Sequence, residues 1–269
     1  MRGGLKILGA AAVVLVLAGA ADATSVTAIF TTVCPYVNVH VESQLWTGDA
    51  AAGVMQFTQV NGPDGHTWDG LPPRFQGFCI DLHDDVNYNQ TYTWQVVNPE
   101  NAPVPGPNGH SMTAAQHLEL QELFGLYYTS PSKTPDKVTN IFGNSIDAAA
   151  FQAAIWEIVW EQPSNSWDLS SGALQLSNYP VSGGKPDHNW VASSKANIML
   201  AAVENWKGDV STLPELVALV SEQDQDQIVF LPWGTAPPPQ DTVPEPLTMA
   251  GLGLGICSVV TYVRRRRAA

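Results

Sequence analysis

Cysteine is scarce in this 269-residue chain: there are three, and Cys257 lies in a C-terminal apolar stretch, so the body holds only Cys34 and Cys79. Two thiols exclude a disulfide framework of the kind that staples small secreted domains. They leave two readings open, a single Cys34–Cys79 disulfide, slightly favoured on spacing, or a thiol kept for other chemistry. Basic residues are scarcer still in the body. Of twelve Lys and Arg, six sit at the extremes (Arg2, Lys6 and Arg264 to Arg267), and residues 24–243 carry six against 23 acidic residues, a net charge of −17. Such a body repels nucleic acid and anionic lipid. There is no phosphate-binding glycine loop, dinucleotide fingerprint, zinc spacing or EF-hand loop, so no cofactor and no metal is expected. His83-Asp84-Asp85 and Asp224-Gln225-Asp226 read as solvated acidic turns. Six scattered histidines give a cysteine hydrolase no local motif.

The ends read as sorting signals. Residues 1–23 have a basic start (Arg2, Lys6), an apolar run over 7–18 and small residues at Ala21 and Ala23. That is a secretory signal peptide, with cleavage expected before Thr24. At the other end, residues 233–246 form a Pro-rich linker, 247–263 are 17 residues without a charge, and Arg264, Arg265, Arg266 and Arg267 follow. The apolar span is just long enough to cross a membrane, and the arginines mark its cytoplasmic side. The extracytoplasmic domain is therefore 24–232, the transmembrane helix 247–263 and the basic tail 264–269.

Within the body, Val37, Val39 and Val41 alternate with Asn38, His40 and Glu42, a half-buried strand, and residues 54–60 suggest another. Residues 75–82 form a third strand carrying Cys79, and 88–97 a fourth, expected to pair beside the third. Residues 113–128 are helical, with Thr113 as cap. Residues 148–161, AAAFQAAIWEIVWE, lack Gly and Pro and make about four helical turns. Ser145 or Asp147 is expected to cap that helix, and Pro163 lies past its end. Residues 167–185 read as a polar excursion, and 190–206 as a third helix with Ile198, Ala202 and Val203 buried. Residues 210–220 are ambiguous, and 226–231 read as a closing strand. Strands first, helices in the middle and a returning strand give an α+β fold: a mainly antiparallel, barrel-like sheet with an inserted subdomain of about three helices.

One residue in the central helix is out of place. Gln152 shares a helix face with Ile155, Trp156 and Val159, and a buried amide without partners costs about 1–3 kcal/mol per unmade bond. An ordinary core amide bonded to strand backbone is one explanation.

Two resemblances supply another reading. Pro244-Glu245-Pro246, the apolar span and the Arg264 to Arg267 cluster resemble the PEP-CTERM sorting signal. That implies processing by an exosortase at Pro-Glu-Pro, membrane association through the C-terminal helix before processing, and a destination in the envelope or biofilm matrix. The body, over residues 74–231, resembles the thioester domains best known from bacterial surface adhesins. Phe78-Cys79-Ile80 is similar to their aromatic-Cys-aliphatic motif. Gln152-Ala153-Ala154-Ile155-Trp156 is similar to the core of their Thr-Gln-x-Ala-hydrophobic-Trp motif, with Phe151 where the family usually has Thr. Leu120-Gln121-Glu122-Leu123-Phe124 partly meets their intervening Gln motif. The resemblance implies that the Cys79 thiol and the Gln152 carboxamide condense to an internal thioester with loss of ammonia. It also implies that the product captures an amine- or hydroxyl-bearing partner on the cell surface or in the matrix. This is single-use capture, not enzymatic turnover. Phe78, Phe151, Trp156, Tyr127 and Tyr128 are the expected walls that keep water out, and His83 is a candidate base. The alternative is a non-covalent structural or binding module of the matrix with the same fold.

Overall fold

The valine alternation of residues 37–41 lies in one long strand, β1 (Ser25–Ser43), which turns back into β2 (Thr47–Gln59). The structure is a computed structural model and describes residues 24–43, 46–63, 65–103, 111–128, 142–161, 167–178 and 190–231. The signal peptide, the Pro-Glu-Pro motif, the apolar span and the arginine cluster lie outside the described residues. No described helix is long and apolar enough to cross a membrane. After β2 come β3 (Arg74–Cys79), β4 (Thr91–Val97), α1 (Ala114–Tyr127), α2 (Ser145–Trp160), β5 (Leu174–Asn178), α3 (Val191–Glu204), β6 (Leu216–Val220) and β7 (Gln227–Phe230). The fold is α+β, with a seven-stranded antiparallel sheet and three helices.

The sheet closes on itself. Its order is β2-β3-β7-β6-β4-β1-β5, and β1 also pairs with β2, so six strands form a barrel. Closure leaves those six strands without a free edge. β5 pairs only with the far half of β1, from Val39↔Asn178 to Ser43↔Leu174. Inside the barrel Phe57 packs against Phe30, stacks on Phe75 at 5.1 Å and meets Trp94 edge-on at 5.5 Å.

Several expectations are corrected. β4 does not pair with β3. It lies between β1 and β6, because β7 returns to take the place beside β3. The polar excursion contains a strand, β5, whose short LQLSN run pairs on an edge. The ambiguous stretch ends in β6. Ile198 is 67% exposed, while Ala196, Met199, Leu200 and Val203 form the buried side of α3.

α2 organises the helical layer. It packs against β1, β2 and α3, and its residues 148–160 are buried on every side. Its alanines, 148–150, 153 and 154, let neighbouring elements approach closely. The N-cap is Asn144, not Ser145 or Asp147: its side chain accepts from the Asp147 N–H at 2.9 Å. At the other end the Gln116 Nε2 donates to the Ile158 and Val159 carbonyls, both at 2.9 Å. Gln116 also closes the capping box of α1 with Thr113. One buried side chain therefore caps the start of α1 and serves the orphan carbonyls of α2.

Candidate functional site

Strand β3 loses its neighbour just before Cys79. β2 pairs with β3 only as far as Met55↔Gly77. In an antiparallel strand the N–H and C=O of Gly77 and Cys79 point to the same side, so those of Cys79 are left without a β2 partner. The Gln152 side chain fills that gap. The Cys79 N–H donates to Gln152 Oε1 at 3.0 Å, and Gln152 Nε2 donates to the Cys79 carbonyl at 2.8 Å. The carboxamide thus stands in for a strand residue, 73 positions away in sequence. Cys79 is 4% exposed and Gln152 1%.

The two sequence-predicted residues are therefore together, and the disulfide is not present. Cys34 is exposed, Cys79 buried, and both are free. The Cys79 thiol donates to the Asp81 carbonyl at 2.7 Å. Burial pushes its pKa far up; Trp156 acts against that rise, the Asp81 carboxylate adds to it, the Asp81 backbone lowers it, and Asp226 adds again. Burial therefore favours the neutral thiol over the thiolate.

The expected walls are partly as read. Phe151 lies at the centre of a ring cluster, 4.9 Å from Phe78, 5.0 Å from Phe124 and 5.0 Å from Phe142. Tyr128 joins it, edge-on to Phe78 at 5.8 Å. Tyr127 is only half-buried, so Tyr128 takes the place expected of it in the cluster. Trp156, one turn beyond Gln152, is 1% exposed. His83 is exposed and stacks on Trp160 at 5.9 Å, a poor position for a base acting on a buried thiol. Gln121, in the partial Gln motif, donates to the Pro214 carbonyl at 2.9 Å and is not joined to the site. The glutamine of α1 that matters to α2 is Gln116. Its Thr113-x-x-Gln116 capping-box spacing was the available signal.

Sequence reasoning also missed a polar chain beside the thiol. Gln225 Nε2 donates at 3.2 Å to the same Asp81 carbonyl that accepts the thiol proton. Gln227 Nε2 donates to Gln225 Oε1 at 3.2 Å, and Trp94 Nε1 to the Gln225 carbonyl at 3.1 Å. Two buried carboxyls lie close by. Burial pushes Asp81 up, and it pushes Asp226 up to about 7, with Asp81 and Asp84 adding to the latter rise. Among the described residues no group of His, Cys, Asp or Glu has the arrangement of a metal site.

Acid groups held neutral give the domain an inverted pH dependence. Burial raises Glu157 to about 8 and Glu119 to about 7, alongside Asp226. Each binds a proton in the folded chain at pH values where the unfolded chain has lost it. Stability attributable to them therefore falls as pH rises from the ordinary carboxyl range to about 8. Asp147 and Asp168, which are lowered, lose their contribution only in more acid solution. Thermal melts should give a higher Tm at pH 5.5 than at pH 8.5, and Glu157→Gln should flatten the slope by on the order of a few kcal/mol across that window. A Tm that rises with pH there contradicts this assignment.

Comparison of the chain with protein-family models, with curated proteins and with solved structures finds no match to any of them.

Proposed function

We propose that this is an exported surface or matrix protein whose body forms an internal thioester between Cys79 and Gln152 and attaches covalently to an amine- or hydroxyl-bearing partner. The observation that carries the reading is the reciprocal pair of hydrogen bonds between the Gln152 carboxamide and the Cys79 backbone. It holds acyl donor and thiol-bearing residue in register on two rigid elements, which is the main requirement of an intramolecular reaction. The Cys79 N–H on Oε1 polarises the carbonyl where negative charge would develop.

The step balances without a co-reactant. The Cys79 sulfur bonds to the Gln152 carboxamide carbon, the C–N bond breaks, the thiol proton passes to the nitrogen, and ammonia leaves. A nucleophile R–NH2 or R–OH then takes the acyl group, and the proton returns to sulfur. The burial that keeps the thiol protonated would also keep water from the thioester. Because the acyl group is consumed once, this is capture and not catalysis. The acidic body, at −17, favours approach of a cationic amine.

Incubation of the purified protein with methylamine tests the reading. A methylamide at Gln152 and a newly reactive Cys79 thiol on the peptide map are expected. No adduct on the wild-type chain, or an equal adduct on Cys79→Ala, points instead to a non-covalent module in which Gln152 only completes β3. Sorting forms a separate part of the proposal, motivated by the tail. Replacing Pro244, Glu245 and Pro246 should hold the protein in the inner membrane on fractionation. Normal departure of that variant from the membrane contradicts exosortase processing.

A further inference from the structure

Two buried polar groups lie beside Cys79: the Trp156 indole N–H, which faces the thiol and works against the rise in its pKa, and the Gln227 side-chain oxygen Oε1, which has no hydrogen-bond partner among the described residues. Gln227 is 0% exposed. An acceptor buried without a donor costs about 1–3 kcal/mol, so its presence calls for an occupant or a transient partner.

The register shows where that acceptor lies. Cys79 and Gln227 are direct partners across β3 and β7. The N–H and C=O of Cys79 point away from β7 to Gln152, and Ile80, the next residue, donates to the Asp226 carbonyl. Cys79 and Gln227 are therefore a non-hydrogen-bonded pair, the kind whose side chains leave the same face and approach most closely. The orientation of the Gln227 amide is fixed as well. Its Nε2 donates to both Gln225 Oε1 and the Gln225 carbonyl, 3.2 and 3.3 Å away, which leaves Oε1 directed elsewhere. Gln225 in turn holds the Asp81 carbonyl that accepts the thiol proton. The thiol is thus flanked by a fixed chain of groups, with the Trp156 N–H as a donor beside it and Gln227 Oε1 as an acceptor left unpaired.

We infer that Gln227 Oε1 is the acceptor for nitrogen at this site: it takes an N–H of the ammonia leaving Gln152 and, later, an N–H of the amine that attacks the thioester. This rests on the thioester proposed above. An attacking amine carries a second hydrogen after giving one up, whereas a thiol or hydroxyl nucleophile has a single proton to lose. Gln227 Oε1 therefore keeps an N–H partner through attack by an amine, and loses its partner when a thiol or hydroxyl gives up its single proton. Gln227 is in this sense a specificity-determining residue, set by β7 and not by either motif.

The test compares two nucleophiles on the full chain. Rates of thioester loss are measured with methylamine and with 2-mercaptoethanol, for wild type and for Gln227→Met, whose size is similar and which lacks the acceptor. The methylamine rate is expected to fall about tenfold, the scale of one hydrogen bond, with the mercaptoethanol rate unchanged. Gln227→Glu, which keeps an acceptor, should restore the preference for amine. Gln225→Ala, on a half-buried side chain, loosens the Gln227 amide and should lower the same ratio, which serves if Gln227→Met does not fold. Equal rate changes for both nucleophiles, or none, overturn the role of Gln227 while leaving the thioester standing. A wild-type chain of full mass overturns both.

Discussion

Gln152→Leu should melt far below the wild-type chain. The substitution leaves volume nearly unchanged but leaves the Cys79 N–H and C=O, both buried, without partners. Each orphaned group costs about 1–3 kcal/mol, so the loss of pairing alone is expected to be about 2–6 kcal/mol. In a thioester-bearing chain the Nε2 donation has left with the ammonia, and a cross-link between residues 73 positions apart takes its place, so that chain loses the cross-link together with the Oε1 bond. Closing a loop of that length stabilises by about 4 kcal/mol on the chain-entropy account. Cys79→Ala separates the two, since it abolishes the cross-link and keeps the amide on the backbone. Urea melts should place Cys79→Ala between wild type and Gln152→Leu. If Gln152→Leu melts within about 1 kcal/mol of wild type, the carboxamide is not holding β3.

Phe151→Thr should be as damaging, although it restores the residue usual in the motif that the chain resembles. Phe151 is 0% exposed and lies among Phe78, Phe124, Phe142 and Tyr128. Emptying a large aromatic site costs about 3–5 kcal/mol, and a Thr hydroxyl placed there brings an unpaired polar group as well. Methylamine should then react faster, because the cavity admits water and small nucleophiles. A small effect on both melting and reactivity would mean that the ring cluster is not the wall of this site.

What could be read from residue order alone follows from how local each signal is. The valine alternation of β1, the Ala-rich α2 and the Thr113 cap depend on near neighbours, and all three are where the sequence puts them. Partnering depends on long-range register. Residue order alone therefore puts β4 beside β3, whereas β7, from the far end of the body, occupies that place. β5 was missed because LQLSN carries neither a strong alternation nor β-branched residues, and it pairs only along one edge of β1. Ile198 was misassigned because an apolar residue in a helix need not face the core.

For the site, Cys79 and Gln152 were legible as motif residues, but the reason for their meeting was not. It lies in the end of β2 pairing at Gly77, which no local pattern announces. Gln225 and Gln227 were invisible for a similar cause. Gln225 reads as part of a solvated acidic turn and Gln227 as part of the closing strand, and only the return of that strand, β7, beside β3 brings them to the thiol.

The central claim is a covalent bond, and intact mass tests it most directly. The full chain is purified, its mass is measured, and its thiols are alkylated after unfolding. The account predicts a chain lighter by one ammonia, with Cys34 alkylated and Cys79 not, and a Cys79→Ala chain that retains the ammonia. A wild-type chain of full mass with Cys79 alkylated like Cys34 would contradict it.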